Sequence, residues 1–110
     1  MSGATQRQEW IPMVMSWFDA TQAKAFGVSL ARYFIDKMPL DSADKQGRHA
    51  ARTQQTLAKM QQQVEAFRQQ HKLNLYKKAR LGNAFKWTLS EAGYDSAYID
   101  ELTRWLMLRL

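Results

Sequence analysis

The chain has 110 residues, a formal net charge of +6 and no cysteine, and 45% of its residues are hydrophobic. This length and hydrophobic content are typical of a single folded domain and exclude a wholly disordered chain. The lack of cysteine excludes disulfides and thiolate metal ligands. No apolar run approaches the roughly 20 residues of a membrane-spanning helix. The polar N-terminal residues lead into no long apolar stretch, so we expect no secretory signal. We therefore expect a cytoplasmic protein without integral membrane association.

The N-terminal end divides into a polar stretch and an apolar one. Residues 1–9 are polar and predict a disordered tail, which leaves residues 10–110 as a single all-helical domain. Residues 10–18 are rich in aromatic residues and methionine, and Pro12 suits the first turn of a short helix. We expect this apolar stretch to be a lid on the helical core, with a membrane or partner surface as the alternative.

A second helix is predicted over residues 20–38. Asp19 is a suitable N-cap, and apolar residues then recur at 3- and 4-residue steps, which is typical of an amphipathic core helix. Pro39 ends this helix because its ring cannot continue the backbone hydrogen bonding.

The longest predicted helix runs from about Ala43 to His71 and is rich in glutamine and basic residues. Four apolar residues form a narrow stripe along it: Leu57, Met60, Val64 and Phe67. At 1.5 Å per residue this helix would be roughly 43 Å long, whereas a domain of this size has a radius of gyration of about 13 Å. We therefore expect a long central helix that either projects or is completed by a second copy.

The next helix is predicted over about residues 75–92, after a bend in which Asn74 is the N-cap. The alternative is a continuous helix through this point. On it Gly82 would allow close approach of a neighbouring backbone. A second line on the same helix consists of Tyr76, Arg80, Asn83 and Trp87.

The helix end at Gly93 predicts a left-handed C′ residue, with Tyr94 folding back. Asp95 or Ser96 then starts a last helix that runs to the end of the chain. Because no segment alternates with period 2, the sequence predicts an all-α fold, a small helical bundle of three to four helices.

Residues suited to catalysis or metal binding are scarce. On one helix His49 and His71 would lie roughly 33 Å apart, and no nucleophile elbow or phosphate-binding glycine loop is present. The acidic residues near Asp95 are explained by compensation of the helix dipole. We therefore expect a protein that is not an enzyme and has no cofactor or metal.

The positive charge is concentrated in residues 45–86, which hold 10 lysine and arginine residues and one acid, Glu65. Such a segment attracts nucleic acid, anionic lipid or an acidic protein surface. It is also typical of an exposed, solvated helix, so the charge alone does not choose between these functions.

Two hypotheses follow. The first is a protein–protein interaction or adaptor module that self-associates, with a homodimer favoured and an acidic protein surface as a further partner. Its interface residues would be Leu57, Met60, Val64, Phe67, Tyr76 and Trp87. The alternative is an RNA- or DNA-binding module. Its phosphate-binding residues would be Arg48, Arg52, Arg68, Lys72, Lys77, Lys78, Arg80 and Lys86.

Overall fold

A computed structural model describes the backbone of residues 2–40 and 46–110, and the side chains of residues 20–40 and 49–110. These residues form four helices, α1 (Ser2–Lys37), α2 (Gln46–Gln70), α3 (Leu75–Glu91) and α4 (Ser96–Met107). The described part of the chain contains no strand. The predicted all-α fold is therefore confirmed.

Helix α1 differs from the prediction for the N-terminal end. It is continuous from Ser2 to Lys37, without the predicted break at Asp19. The division into a tail over residues 1–9 and a domain over residues 10–110 stays a prediction. Extending an existing helix fixes one residue for each hydrogen bond gained, so a helix continues through residues that would not nucleate one. The lid predicted at residues 10–18 lies outside the described side chains.

The two C-terminal helix starts agree with the predicted caps. The side chain of Asn74 accepts a hydrogen bond of 2.8 Å from the backbone N–H of Lys77, so α2 and α3 are separate helices. The carboxylate of Asp95 accepts two, from the N–H groups of Ala97 and Tyr98 at 3.1 and 3.3 Å. Each side chain satisfies N–H groups that have no partner inside the helix.

The end of α3 is a glycine-based cap, as predicted. Gly93 has φ +94°, and its N–H donates to the carbonyl of Ser90 while that of Tyr94 donates to the carbonyl of Leu89. This is the Schellman arrangement, in which glycine adopts the left-handed conformation at little cost. The turned chain lets the Tyr94 hydroxyl donate to the Met38 carbonyl at the end of α1.

The centre of the fold is the α1–α3 pair, which makes the most extensive helix–helix contact; α4 packs on α3, and α2 packs on α1. The two helices run parallel, since Gly27 lies against Leu81 and Met38 lies against Tyr94. The central position expected for the Ala43–His71 helix is not confirmed: α2 is shorter than α1 and flanks the pair.

Close approach of two backbones occurs at Gly27. A Cβ at this position would overlap the Leu81 carbonyl, so only glycine fits. At Gly82, where the sequence predicted a neighbouring backbone, the nearest group is instead the Met107 side chain, whose sulfur would lie 2.8 Å from an added Cβ.

The core lies between the α1–α3 pair and the two flanking helices. Its largest fully buried side chains come from all four helices: Phe34, Phe85, Leu30, Met60, Leu81, Leu89, Leu106 and Val64. Phe26 of α1 stacks on Phe67 of α2 with ring centroids 4.3 Å apart. Leu110 is also buried, so the C-terminal end is docked on the core.

Candidate binding face

The apolar stripe of α2 packs inside the chain. Met60 and Val64 are 0% exposed, and Leu57 and Phe67 are partly buried against the same core. Packing against α1 therefore accounts for the 3- and 4-residue spacing without a second copy. The interface role of these four residues stays a prediction.

The second line on α3 faces solvent. Tyr76 is 59% exposed and Trp87 is 66% exposed, and Arg80 and Asn83 between them are exposed as well. Tyr76 and Trp87 lie about three helical turns apart, so they share one side of α3 at an axial separation of about 16 Å. Two large aromatic side chains thus stand uncovered on the same side of one helix.

Helix α1 borders this line on one flank and forms a groove with it. We call it the Trp87 groove, which is lined by Lys24, Val28 and Arg32 of α1 and by Arg80, Ala84 and Trp87 of α3, and has a volume of about 500 Å³. The two helices are parallel and meet at Gly27. Residues spaced four apart on α1 and on α3 therefore form two lines that run side by side along the groove.

The floor of the Trp87 groove is apolar and its rim is charged. Val28 is half-buried and Ala84 is buried, whereas Lys24, Arg32 and Arg80 are exposed. Glu91 is the acid that lines the groove. Ion pairs in the described part of the chain join Lys37 to Asp36 and Lys86 to Asp100, and neither involves the three cations of the groove.

A second recess lies on the other flank of Trp87. It has a volume of about 310 Å³ and is lined by Asn83, Lys86, Trp87 and Ser90. The Lys86 ammonium is 3.1 Å from the Asp100 carboxylate of α4. The indole of Trp87 therefore separates two recesses and is accessible from both.

Seven of the eight predicted phosphate-binding residues have described side chains, and these seven do not gather on one face. Arg80 lines the Trp87 groove, whereas Lys86 pairs with Asp100. The Lys77 ammonium donates to the Lys72 carbonyl at 3.0 Å, which places both residues at the start of α3. These local bonds divide the basic segment into separate small groups.

The remaining members of that set are on α2 or at the start of α3. Arg52 lines a recess with Tyr33 and Lys59, and Arg68 donates to the Arg109 carbonyl at 3.2 Å. Lys78 is half-buried, and the side chain of Arg48 lies outside the described residues. Nucleic-acid binding by all eight together therefore has no common surface among the described side chains.

Sequence reasoning missed Lys24 and Arg32 as site residues. They lie outside the basic 45–86 segment, so the charge count along the chain did not select them. A signal was present in their helical spacing, since both lie on a side of α1 away from its core line. That spacing points to a groove only when α1 is known to pack against α3.

Two tyrosines, Tyr94 and Tyr98, line a recess beyond the C-terminal ends of α1 and α3, together with Met38, Leu40 and His49. Burial raises the pKa of Tyr94, and the nearby Tyr98 raises it further. Burial also raises the pKa of Tyr98, with a smaller contribution from Glu101. The neutral phenol is thus the favoured form in the folded protein.

The described residues offer neither a metal site nor a membrane-spanning helix. In the part of the chain that the structure describes, no three His, Asp or Glu side chains gather as a metal site. His71 stacks on Phe67 with ring centroids 4.3 Å apart. Within the same residues, no helix combines the length and apolar character needed to cross a membrane.

The chain matches no protein-family model, and neither curated proteins nor solved structures show significant similarity to it.

Proposed function

We propose that this chain is a non-enzymatic helical protein–protein interaction module that binds through the Trp87 groove. The observation that carries the proposal is the 66% exposure of the Trp87 side chain between two recesses. Leaving a large apolar ring in water forgoes burial energy of about 25 cal/mol per Å². A bound partner would recover that energy.

The residue types around Trp87 support a protein partner. Tryptophan, tyrosine and arginine are the residues most enriched at energetic hot spots of protein interfaces. Trp87, Tyr76 and Arg80 share one side of α3, and this helix is held by the buried Leu81, Phe85 and Leu89 on its other side. A rigid helix that presents these side chains loses little conformational entropy when it binds.

Self-association belongs to this proposal in one respect. Tyr76 and Trp87 are the two members of the predicted interface set that remain mostly exposed. A homodimer that uses the α2 stripe would have to withdraw Met60 and Val64 from the core, whereas one that uses α3 would not. Sedimentation equilibrium of the wild type and of Trp87→Ala measures whether such a dimer forms.

The test of the proposed function is selection of 12-residue peptides from a random phage-displayed library on the immobilised protein. Selected peptides should lose binding to Trp87→Ala and keep it to Leu108→Ala. Leu108 is the matched control because it is 78% exposed but lies outside the groove. Peptides that bind both variants equally would contradict the proposal.

Binding of single-stranded nucleic acid is the second candidate. It is favoured by the exposed Tyr76–Trp87 line together with Lys24, Arg32 and Arg80, since aromatic stacking and phosphate neutralisation are the two requirements of such sites. Affinity for mixed-sequence RNA and DNA 12-mers at 50 to 300 mM salt tests it. A contact by Arg80 predicts that Arg80→Glu lowers the salt slope by about 1.

A further inference from the structure

We infer that the Trp87 groove accepts an acidic, amphipathic segment of a different protein. One apolar side chain of that segment packs against Trp87 and Val28, and flanking carboxylates bind Lys24, Arg32 and Arg80. This inference rests on the proposed function and names the chemistry of the partner.

The arrangement of the groove calls for a segment with an apolar centre and charged flanks. The α1 cations lie at the two ends of their line, two helical turns apart, or about 12 Å, with half-buried Val28 between them. Ala84 opposite Val28 is small, which leaves room for an inserted side chain. Trp87 forms the wall of this central part.

The charge of the groove favours carboxylates. Three cations line it against one acid, Glu91. Lys86, just across Trp87, is already paired with Asp100, whereas the groove cations take part in neither of the ion pairs within the described residues. Arginine binds a carboxylate through two parallel hydrogen bonds, so Arg32 and Arg80 would supply orientation as well as charge.

A second copy of this chain fits the groove poorly. A two-fold dimer through this face would bring the cationic patches of both copies together, each with Lys24, Arg32 and Arg80, and such like-charge contacts are unfavourable. The acids of α4 are poor substitutes, because Asp95 caps its own helix and Asp100 pairs with Lys86. The net charge of +6 also opposes self-association.

The experiment analyses the peptides that the phage selection on the wild-type protein returns. They should contain an excess of Asp and Glu around one aromatic or large aliphatic residue. The most enriched peptide is then synthesised in two forms, one as selected and one with Asn and Gln in place of its Asp and Glu. The acidic form should bind at least about tenfold more tightly at 50 mM salt, and this advantage should shrink at 300 mM.

Charge variants of the groove give the second readout. The double variant Arg32→Glu with Arg80→Glu should weaken binding of the acidic peptide at least about tenfold. Lys59→Glu, an exposed charge reversal on α2, is the matched control and should change the affinity less than about twofold. Glu91→Gln should strengthen binding, because it removes the acid from the groove. Circular dichroism verifies that each variant is folded.

The outcomes separate the inference from the proposed function. Selected peptides that lack acidic residues but still require Trp87 would overturn the inference and leave the proposed function intact. Peptides that bind Trp87→Ala as well as wild type would overturn both. Tighter binding of an RNA or DNA 12-mer than of any selected peptide, lost in the double variant, would assign the groove to nucleic acid instead. A wild-type dimer that Trp87→Ala dissociates would assign it to a second copy.

Discussion

The apolar stripe of α2 and the aromatic line of α3 have the same 3- and 4-residue spacing but opposite environments. Met60 and Val64 of the stripe are fully buried, whereas Tyr76 and Trp87 of the line are 59% and 66% exposed. Helical spacing establishes that residues share one side of a helix. It does not establish whether that side meets the chain's own core, a partner or water.

The neighbouring helices explain the difference. The stripe is the one apolar side that α2 has, and α1 covers it through contacts such as Phe26 on Phe67. Helix α3 has a separate core line, with Leu81, Phe85 and Leu89 buried. Its aromatic line is therefore surplus to folding, and surplus apolar surface on a rigid helix is where a binding function is expected.

The largest expected effect comes from placing a charge in the stripe. Val64→Asp should lower the free energy of unfolding by on the order of 4 kcal/mol, because a carboxylate in the core has no partner. Urea denaturation followed by circular dichroism measures it, with the exposed Ala66→Asp as control. If Val64→Asp is instead as stable as wild type and merely smaller on sizing, the stripe is an intermolecular interface.

A smaller effect is expected where the two backbones meet. Gly27→Ala should destabilise the fold by about 1–3 kcal/mol, because the new methyl group overlaps the Leu81 carbonyl and a helix must move. Gly82→Ala should be near neutral, since the flexible Met107 side chain can give way and alanine gains about 1 kcal/mol in helix propensity. Equal urea midpoints for the two variants would contradict this account.

The tyrosine recess predicts a dependence on alkaline pH. Since burial raises the pKa of Tyr94 and Tyr98 above 10.0 in the folded protein, the unfolded chain ionises first. The free energy of unfolding should thus be constant below about pH 9 and fall as the pH rises through 10 and above.

Tyr94→Phe separates the two contributions of that residue. It should lower the free energy of unfolding by about 1 kcal/mol at neutral pH, through loss of the hydrogen bond to the Met38 carbonyl. It should also reduce the fall in stability at alkaline pH. Unfolding curves of both proteins between pH 7 and 11 measure these changes. An unchanged alkaline fall in the variant would assign it to other groups, such as lysines.

The smallest effect on stability is expected in the aromatic line. Trp87→Ala should change the free energy of unfolding by less than about 0.5 kcal/mol, because the side chain is mostly exposed. Thermal and urea unfolding measure it. A loss comparable to that of a core variant would show that Trp87 serves the fold rather than a partner.

The helix ends could be predicted from the sequence because their chemistry is local. Asn74, Gly93 and Asp95 mark helix ends through hydrogen bonds to residues within five positions, so each could be identified from its neighbours. The all-α fold, predicted as a bundle of three to four helices, followed from these ends and from the apolar spacing between them. Local rules of this kind need no knowledge of tertiary contacts.

Only the α3 side of the Trp87 groove could be predicted from the sequence. Tyr76, Arg80, Asn83 and Trp87 were identified as one line on α3, but the α1 flank was not. That flank depends on the contact at Gly27, and a lone glycine in a helix does not indicate which distant segment approaches it. The basic segment has the same limit as a predictor, because charge counted along the chain ignores which helices are neighbours.

The contact between Gly27 and Leu81 also means that the core cannot be completed until α3 has been synthesised. Helices α1 and α2 are synthesised before α3, yet the most extensive packing of α1 is against α3. Closing so large a loop carries an entropic cost that contacts between adjacent helices avoid. Until α3 emerges, the apolar faces of the growing chain stay open to chaperones and to misassembly.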